Sequence, residues 1–308
     1  DMKLEIGYTG NKATIKDAFA KYTYKNHSIQ VGQFYEPFSL EMMCSTFDIR
    51  FNQSPGAVLA LTNGRRMGIT YGYRNKRHYM SGGAFMDNEV NNLKKASHGY
   101  ALDGRVVYRP VLDSKKLIHI GFAANYRTPN ESLNEEDKNI FIYKSPGVST
   151  IDNRNIAMAT IDHVAYQIKF GTELLVYYHR FCLQSEYIRT HVERDNAFKN
   201  YVAQGAYLQC SWLLSGETYL YDESVACAGR PEGKSLEVCS RFNYLTLNDE
   251  DASIWGGEQK DISIGLNYYI NKYIGIKLNY SYLMPGASIK EISRKNFSVF
   301  QGRFQFIF

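Results

Sequence analysis

Basic side chains recur at alternate positions of this chain, and they are the residues with the clearest chemistry. Guanidinium and ammonium groups around a narrow, low-dielectric passage would attract an anion and replace part of its water shell. Carboxylates occur on the same faces, so the alternative is that opposite charges on neighbouring strands pair and stiffen a wall. The basic candidates for an anion path are Arg50, Arg66, Arg105, Lys169, Arg241, Lys277 and Arg303, with Arg74 on the same set of faces. The acidic candidates are Asp103, Glu173, Glu186, Glu237 and Asp261.

β-Strands must position these side chains, because apolar and polar residues alternate with period two along the chain. The last ten residues show the pattern most strongly, since four phenylalanines share one face. The apolar face holds Phe300, Phe304, Phe306 and Phe308, and the polar face holds Gln301, Arg303 and Gln305. A strand with lipid on one side and water on the other has this composition.

About fourteen segments carry this alternation and predict strands. They are Met2–Tyr8, Thr14–Tyr24, Ser28–Phe34, Arg66–Arg74, Tyr79–Met86, Tyr100–Arg109, Ile118–Tyr126, Tyr166–Tyr178, Cys182–Val192, Val202–Leu214, Leu236–Tyr244, Ile262–Ile270, Ile274–Tyr282 and the terminal strand Val299–Phe308. A soluble all-β protein would also alternate, but it would build its apolar face from Leu, Val and Ile and place charges freely on the other. Here the polar face mixes Gly, Ser, Asn and Gln with a few charged residues, and the chain holds 25 Tyr and 17 Phe. We therefore predict an all-β fold, a transmembrane antiparallel β-barrel of about 14–16 strands.

The organisation of the chain fits one domain. No Pro-rich or Gly/Ser-rich linker divides residues 1–308, and the longest apolar run, Ala57–Leu61, is far shorter than the roughly 18–20 residues of a spanning helix. Residues 36–61 are too long and mixed for a turn and predict a loop that folds into the barrel as a constriction. Three polar stretches predict long loops that face outward: Asn130–Asn155, Asp222–Lys234 and Asn248–Glu258.

Several other classes of function lack a signature in the sequence. The net charge of +5 is spread along the chain without a basic block, which argues against nucleic acid as a partner. Five scattered cysteines without C-x-x-C spacing argue against a zinc site and a disulfide framework. No cofactor-binding motif is present, and no nucleophile accompanies the histidines on or near the strands. We therefore predict no catalytic residues, no metal site, no cofactor and no enzymatic activity. The histidines considered are His78, His98, His119 and His163.

Several segments, taken in order, resemble the phosphate-selective porin O and P family. His27–Glu41 is similar to its GQ-F-x-x-P-F-S-L-E stretch, and Ile15–Phe19 resembles the strand that precedes it. Phe181–Arg189 looks like its fslqgEY strand, and Trp212–Glu217 looks like its W-x-L-T-G-E motif. The family tail has counterparts in Tyr221 and Asp222, Gly265–Tyr268 and Arg303–Gln305. The order and spacing agree from about residue 14 to the end.

The resemblance implies a 16-stranded homotrimeric channel with an inward-folded third loop in the outer membrane of a Gram-negative bacterium. It implies outer-membrane lipid and lipopolysaccharide as surroundings, and the barrel-assembly machinery, which reads a terminal Phe, as a partner during insertion. The chain departs from the family in two respects. Its loop carries Glu36, Glu41, Asp48 and Arg50 and is not basic, and the family's first strand has no counterpart before Asp1. We therefore expect a trimmed chain or a smaller barrel.

These observations predict an outer-membrane porin for passive diffusion of small hydrophilic solutes, with at most a modest preference for anions or phosphate. The alternative is a non-conducting structural or adaptor barrel that binds other surface components through the loops Asn130–Asn155 and Asp222–Glu258. An open throat along the barrel would favour transport. A lumen filled by loops through apolar contacts would favour scaffolding.

Overall fold

The computed structural model describes residues 1–9, 12–86, 99–130, 139–149, 154–195, 197–286 and 295–307. Among these residues no helix has the length and apolar character needed to cross a membrane. In chain order the elements are β1 Met2–Thr9, β2 Lys12–Tyr24, β3 His27–Tyr35, α1 Leu40–Met43, α2 Gly56–Leu61, β4 Arg65–Arg74, β5 His78–Met86, β6 Tyr100–Leu112, β7 Lys116–Arg127, β8 Phe141–Ser145, β9 Ala157–Ile161, β10 Val164–Tyr178, β11 Phe181–Arg194, β12 Tyr201–Ser215, β13 Tyr219–Asp222, β14 Cys227–Pro231, β15 Ser235–Asp249, β16 Ile254–Tyr269, β17 Ile274–Pro285 and β18 Phe297–Phe306.

Fourteen strands form one antiparallel sheet in chain order, from β1 to β18, without β8, β9, β13 and β14. Each of the fourteen predicted segments falls on one of these strands, so the prediction of an antiparallel barrel sheet is confirmed. Within the described residues β1 and β18 are the two edges, and each pairs with a single neighbour.

The two faces of the sheet differ as the alternation predicts. On β16 Ile262 and Ile264 are 50% and 54% exposed on the outer surface, whereas Ser263 and Gly265, which alternate with them, are buried on the inner face. Phe300, Phe304 and Phe306 of β18 are also exposed on the outer face, and Phe308 lies outside the described residues. An outer surface of exposed apolar side chains is suited to contact with lipid.

Three elements fold into the space enclosed by the sheet. They are residues 36–64 with α1 and α2, the hairpin of β8 and β9, and the hairpin of β13 and β14. The prediction that Asp222–Lys234 faces outward is wrong, as it is for the part of Asn130–Asn155 that forms β8, and Asn248–Glu258 is a short turn between β15 and β16 instead of a long loop. Because each strand reverses the direction of the chain, the connection from β12 to β15 leaves the same rim as the short turns at residues 179–180 and 270–273, and its hairpin packs inside the barrel.

Apolar side chains hold these inserted elements against the inner wall in two clusters. One surrounds α2 and the β8–β9 hairpin and contains Val58, Leu61, Tyr143, Ile161 and Leu245. The other lies where α1 meets the β13–β14 hairpin and contains Leu40, Leu175, Leu213, Tyr219 and Cys227. Part of the lumen is therefore packed like a protein core.

Candidate pore and constriction loop

The constriction loop, residues 36–64, is closed at its base by charged side chains. Glu36 at its start accepts hydrogen bonds from Asn63 near its end and from Arg127 of β7. Lys169 of β10 donates to Oδ1 of Asn63 at 2.9 Å. These contacts draw the two ends of the loop together at one rim of the barrel, so the segment between them is directed into the lumen.

Helix α1 is attached to the wall through its first backbone amides. The amides of Leu40 and Glu41 donate to the two carboxylate oxygens of Glu186 on β11, at 3.0 and 2.8 Å. Ser39 caps the helix through a bond from the amide of Met42 at 3.3 Å. A carboxylate at a helix start satisfies amides that have no partner within the helix. Glu186 therefore fixes the position of α1 against the wall.

The middle of the loop is held by basic side chains of the last strands. Nζ of Lys277 donates to the carbonyls of Phe47, at 3.0 Å, and Ile49. Arg241 donates to the carbonyl of Gln53 at 2.8 Å. These charged hydrogen bonds satisfy loop carbonyls that would otherwise be buried without a donor.

Arg50 adds an ion pair between the loop and the wall. Its Nε lies 3.1 Å from Oε1 of Glu237 on β15, and both side chains are almost fully buried. The carbonyl of Arg50 accepts from Asn267 at 2.8 Å, and its guanidinium lies over the ring of Tyr219 at 4.9 Å. A buried charge needs such partners to offset the loss of water.

Helix α2 approaches the wall closely because β12 has a glycine there. A Cβ added to Gly205 would lie 2.7 Å from Cβ of Ala57. The amide of Ala57 donates to Oδ1 of Asn243 at 3.0 Å, and Val58 and Leu61 are completely buried. The glycine thus admits the helix backbone to a distance that a side chain would prevent.

The hairpin that enters from the opposite rim is held by Arg105 of β6. This guanidinium pairs with Glu173 of β10 and donates to the carbonyls of Val225 and Ala226, each at 2.7 Å. His119 contacts the hydroxyl of Tyr221 at 2.9 Å. The polar inner wall therefore binds the hairpin tip as well as the constriction loop.

The structure places most of the predicted anion-path residues at these attachments. Five of the seven are buried and hold an inserted element, namely Arg50, Arg105, Lys169, Arg241 and Lys277. Arg303 is partly exposed and donates to the carbonyl of Asn52 at 3.4 Å, and Arg66, also partly exposed, donates to the carbonyl of Arg65 at 2.9 Å. The role of these seven side chains in conducting anions remains a prediction.

A cavity of about 910 Å³ lies between the constriction loop and the wall formed by β1–β5 and β18. The loop contributes Met42, Met43 and Phe47 to one side. The strands contribute charged side chains to the other, which are Lys3, Glu5, Lys16, Asp17, Lys21, Arg65, Arg74 and Arg303, and Asp1 and Asp222 also line the cavity. One side of the cavity is therefore largely apolar and the other is charged.

The charges on this wall fall into two groups. Asp17 pairs with Lys3 and with Arg65, each at 2.6 Å, and Glu5 pairs with Lys3 and Lys16 at 3.0 and 3.6 Å. A second group, Lys21, Arg74 and Arg303, has no carboxylate within 4 Å in the part of the chain that the structure describes. The cavity therefore has a net positive lining, because six of the charged residues around it are basic and four are acidic.

Sequence reasoning included Arg74 and Arg303 among the wall residues but did not select the lysines of β1 and β2. Lys16 and Lys21 lie in a segment whose alternation is weak, because polar or small residues occur on both of its faces, whereas Lys3 lies between Met2 and Leu4 on a segment that alternates clearly. Their position in the chain could have identified them. The constriction loop folds over strands that follow it, so basic residues on the strands before it stay uncovered and face the cavity.

Comparisons with known proteins agree with this architecture. The sequence model of the family described as phosphate-selective porin O and P matches residues 3–308. An uncharacterised protein of Caulobacter vibrioides is 25% identical over 298 residues, which cover 91% of this chain and 58% of that protein. The chain thus spans little more than half the length of this relative.

Two solved structures are similar in fold at low sequence identity. OmpT of Vibrio cholerae has a TM-score of 0.57 and 9% identity, with 98% of this chain and 83% of that chain covered. An anion-selective porin from Comamonas acidovorans has a TM-score of 0.53 and 11% identity, with 94% and 76% covered. The match of the family over nearly the whole sequence, together with the barrel sheet, shows that this chain belongs to the phosphate-selective porin O and P family of the Gram-negative outer membrane.

Proposed function

We propose that this protein is a diffusion porin for small hydrophilic solutes with a modest preference for anions. The proposed path is the cavity between the constriction loop and the wall of β1–β5 and β18. Transport fits the structure better than a purely structural or adaptor role, because the inserted loops fill one side of the lumen and leave this cavity along the other. No catalytic step is part of the proposal.

The observation that carries the proposal is the presence of cations in the cavity without carboxylate partners. Lys21, Arg74 and Arg303 face the cavity and have no ion pair within the described ranges. Unpaired positive charge raises the local concentration of anions and lowers that of cations. The paired charges of Asp17 and Glu5 contribute less net field because their neighbours neutralise them.

The opposite side of the cavity strengthens this effect. Met42, Met43 and Phe47 of the constriction loop present mainly apolar surface. A low-dielectric surface opposite a charged wall weakens the screening that water provides, so each charge acts over a longer distance. We extend the proposal to a preference for phosphate over chloride.

The proposed surroundings and assembly follow from the family. We expect outer-membrane lipid and lipopolysaccharide around the barrel, insertion by the barrel-assembly machinery, and assembly into a homotrimer. The Comamonas porin of the same fold is anion-selective. That similarity supports the choice of solute class.

The test is the reversal potential of purified protein in planar bilayers under a KCl gradient. We expect a sign that reports more permeant chloride than potassium, and a shift toward equal permeability in the variant Lys21→Gln, Arg74→Gln, Arg303→Gln. The matched control is Lys199→Gln, which removes a charge that is exposed outside the cavity between β11 and β12. Replacing chloride with phosphate on one side then measures the relative permeability of the two anions.

Two results would contradict the proposal. Folded protein that gives no conductance would favour a structural or adaptor barrel. Conductance with an unchanged reversal potential in the triple variant would show that these three cations do not set the selectivity.

A further inference from the structure

Two inserted elements meet inside the barrel although they enter from opposite rims. The constriction loop comes from one rim, and the β13–β14 hairpin comes from the other. Helix α1 packs against β14, and Arg230 of that strand pairs with Asp48 of the loop at 3.1 Å. This contact is where the relative position of the two elements is set.

Two cysteines lie at this contact. Cys44 follows directly after α1, and its thiol donates to the carbonyl of Leu40 at 3.2 Å. Cys227 is the first residue of β14 and belongs to the apolar cluster against which Cys44 packs. The neighbouring Cys227 thiol, together with burial, raises the pKa of Cys44 well above its usual value. The two cysteines therefore pack together in one cluster, and both thiols are free in the structure.

The other three cysteines have different surroundings. Cys182 lies beside Arg50, with 3.9 Å between Sγ and Nη2, and Cys239 lies 4.0 Å from the carbonyl of the same residue. Cys210 alternates with buried residues on β12, on the outer face. Spacing along the sequence pairs none of the five, so the pairing of Cys44 with Cys227 follows only from the fold.

We propose that Cys44 and Cys227 form a disulfide that fastens the constriction loop to the β13–β14 hairpin. Proteins of the bacterial outer membrane fold in an oxidising compartment, where close thiols are stably joined. A link between two inserted elements would restrict the loop on the side that faces the cavity. The fastening role rests on the proposed function, whereas the disulfide itself does not.

The chemistry can proceed through the cavity, because Cys44 lines it and is partly exposed, whereas Cys227 is buried. The Cys44 thiol loses its proton to water. The resulting thiolate attacks a small disulfide oxidant, which forms a mixed disulfide with Cys44 and releases one half of the oxidant as a thiolate. Cys227 then loses its proton and attacks the Cys44 sulfur, which forms the new S–S bond and releases the second thiolate. The two protein thiols lose two electrons, and the oxidant is reduced to two thiols.

The test uses the full chain in outer-membrane extracts. Free thiols are blocked with N-ethylmaleimide before solubilisation, and the protein is denatured, digested without reductant and analysed by mass spectrometry. A parallel sample is first treated with glutathione disulfide. We expect a peptide linked through Cys44 and Cys227, lost in Cys227→Ser and retained in Cys210→Ser. Alkylation of both cysteines even after glutathione disulfide would overturn the proposal.

A second measurement tests the fastening. Dithiothreitol should increase the variance of the open-channel current in the unsubstituted protein and in Cys210→Ser, and should have no effect on Cys227→Ser, whose variance is already high. An unchanged variance in the unsubstituted protein would overturn the fastening role. A linked peptide in a protein without conductance would refute the proposed function and leave the disulfide standing.

Discussion

Arg105 and Glu173 form an ion pair with two hydrogen bonds although strand β7 lies between their own strands. Nε and Nη2 of Arg105 donate to the two carboxylate oxygens of Glu173 at 2.8 and 3.1 Å. On β7 the residue opposite Glu173 is Gly121, and a Cβ added there would lie 2.1 Å from Oε1 of Glu173. The missing side chain gives the carboxylate room to cross the strand. Arg105 in turn holds the hairpin tip.

The variant Gly121→Ala should therefore displace Glu173 and weaken the attachment of the hairpin. We expect a loss of about 1–3 kcal/mol in the free energy of unfolding, the usual cost of overfilling a packed site. Urea titration of detergent-folded protein, followed by gel mobility of unheated samples, measures it. The matched control is Gly104→Ala on the neighbouring strand, where an added Cβ meets no atom within 4 Å. Equal effects of the two substitutions would show that strand propensity, and not the ion pair, is responsible.

Substitution of Lys277 should affect the constriction loop itself. Lys277→Met keeps most of the side-chain volume but leaves the carbonyls of Phe47 and Ile49 without their donor. Buried acceptors without a partner cost about 1–3 kcal/mol each, so the middle of the loop should detach more often. We expect a larger variance of the open-channel current. Lys260→Met is the control, because Lys260 is exposed on the neighbouring strand, and a similar variance in both variants would contradict the anchoring role of Lys277.

The buried carboxyl of Glu41 in the constriction loop should make the stability of the protein depend on pH. Burial raises its pKa above the usual value, although Arg241 and a hydrogen bond from Gln184 act in the opposite direction. Because the pKa of Glu41 is higher in the folded state than in the unfolded state, its contribution to the free energy of unfolding is complete below pH 4.5. That contribution is lost as the pH rises through the folded-state pKa. Glu41→Gln should therefore have little effect on stability at pH 4 and should stabilise the protein increasingly toward neutral pH.

Unfolding midpoints of detergent-folded protein between pH 4 and 8 check this expectation. The control is Glu217→Gln. The ion pair with Lys115 lowers the pKa of that exposed carboxyl, so the sign of any effect is reversed. A difference between Glu41→Gln and the unsubstituted protein that stays constant across the range would exclude titration of Glu41 as its cause.

The strands were predictable from the sequence because the two faces of a barrel strand contact different media. Phe170 and Lys169 are neighbours on β10, and their types alone assign one to the outer face and one to the inner. The same rule does not separate inner residues that meet water from those covered by a loop. Lys277 and Lys21 look alike in sequence, yet Lys277 binds loop carbonyls and Lys21 faces the cavity.

The two short hairpins were not predicted for a related reason. β8 and β9 have five residues each and β13 has four, too few for alternation to be distinguished from chance. The region of β13 and β14 is rich in charge and glycine, which is also the composition of an exposed loop. Its inward position depends on contacts with Arg105 and with α1, which are remote in the sequence.

A charge placed on the outer face should reveal whether this face contacts lipid. Ile264 lies in the middle of β16 and is 54% exposed, so Ile264→Arg would place a charge against hydrocarbon. In transmembrane barrels such a charge costs about 2–4 kcal/mol at the centre of the bilayer and about 0–1 kcal/mol near its surfaces. Ile270→Arg is the matched control, since Ile270 follows directly after the same strand at the rim. Folding titrations in liposomes should show a much larger loss for Ile264→Arg, and equal losses at the two positions would mean that this face does not lie in a membrane.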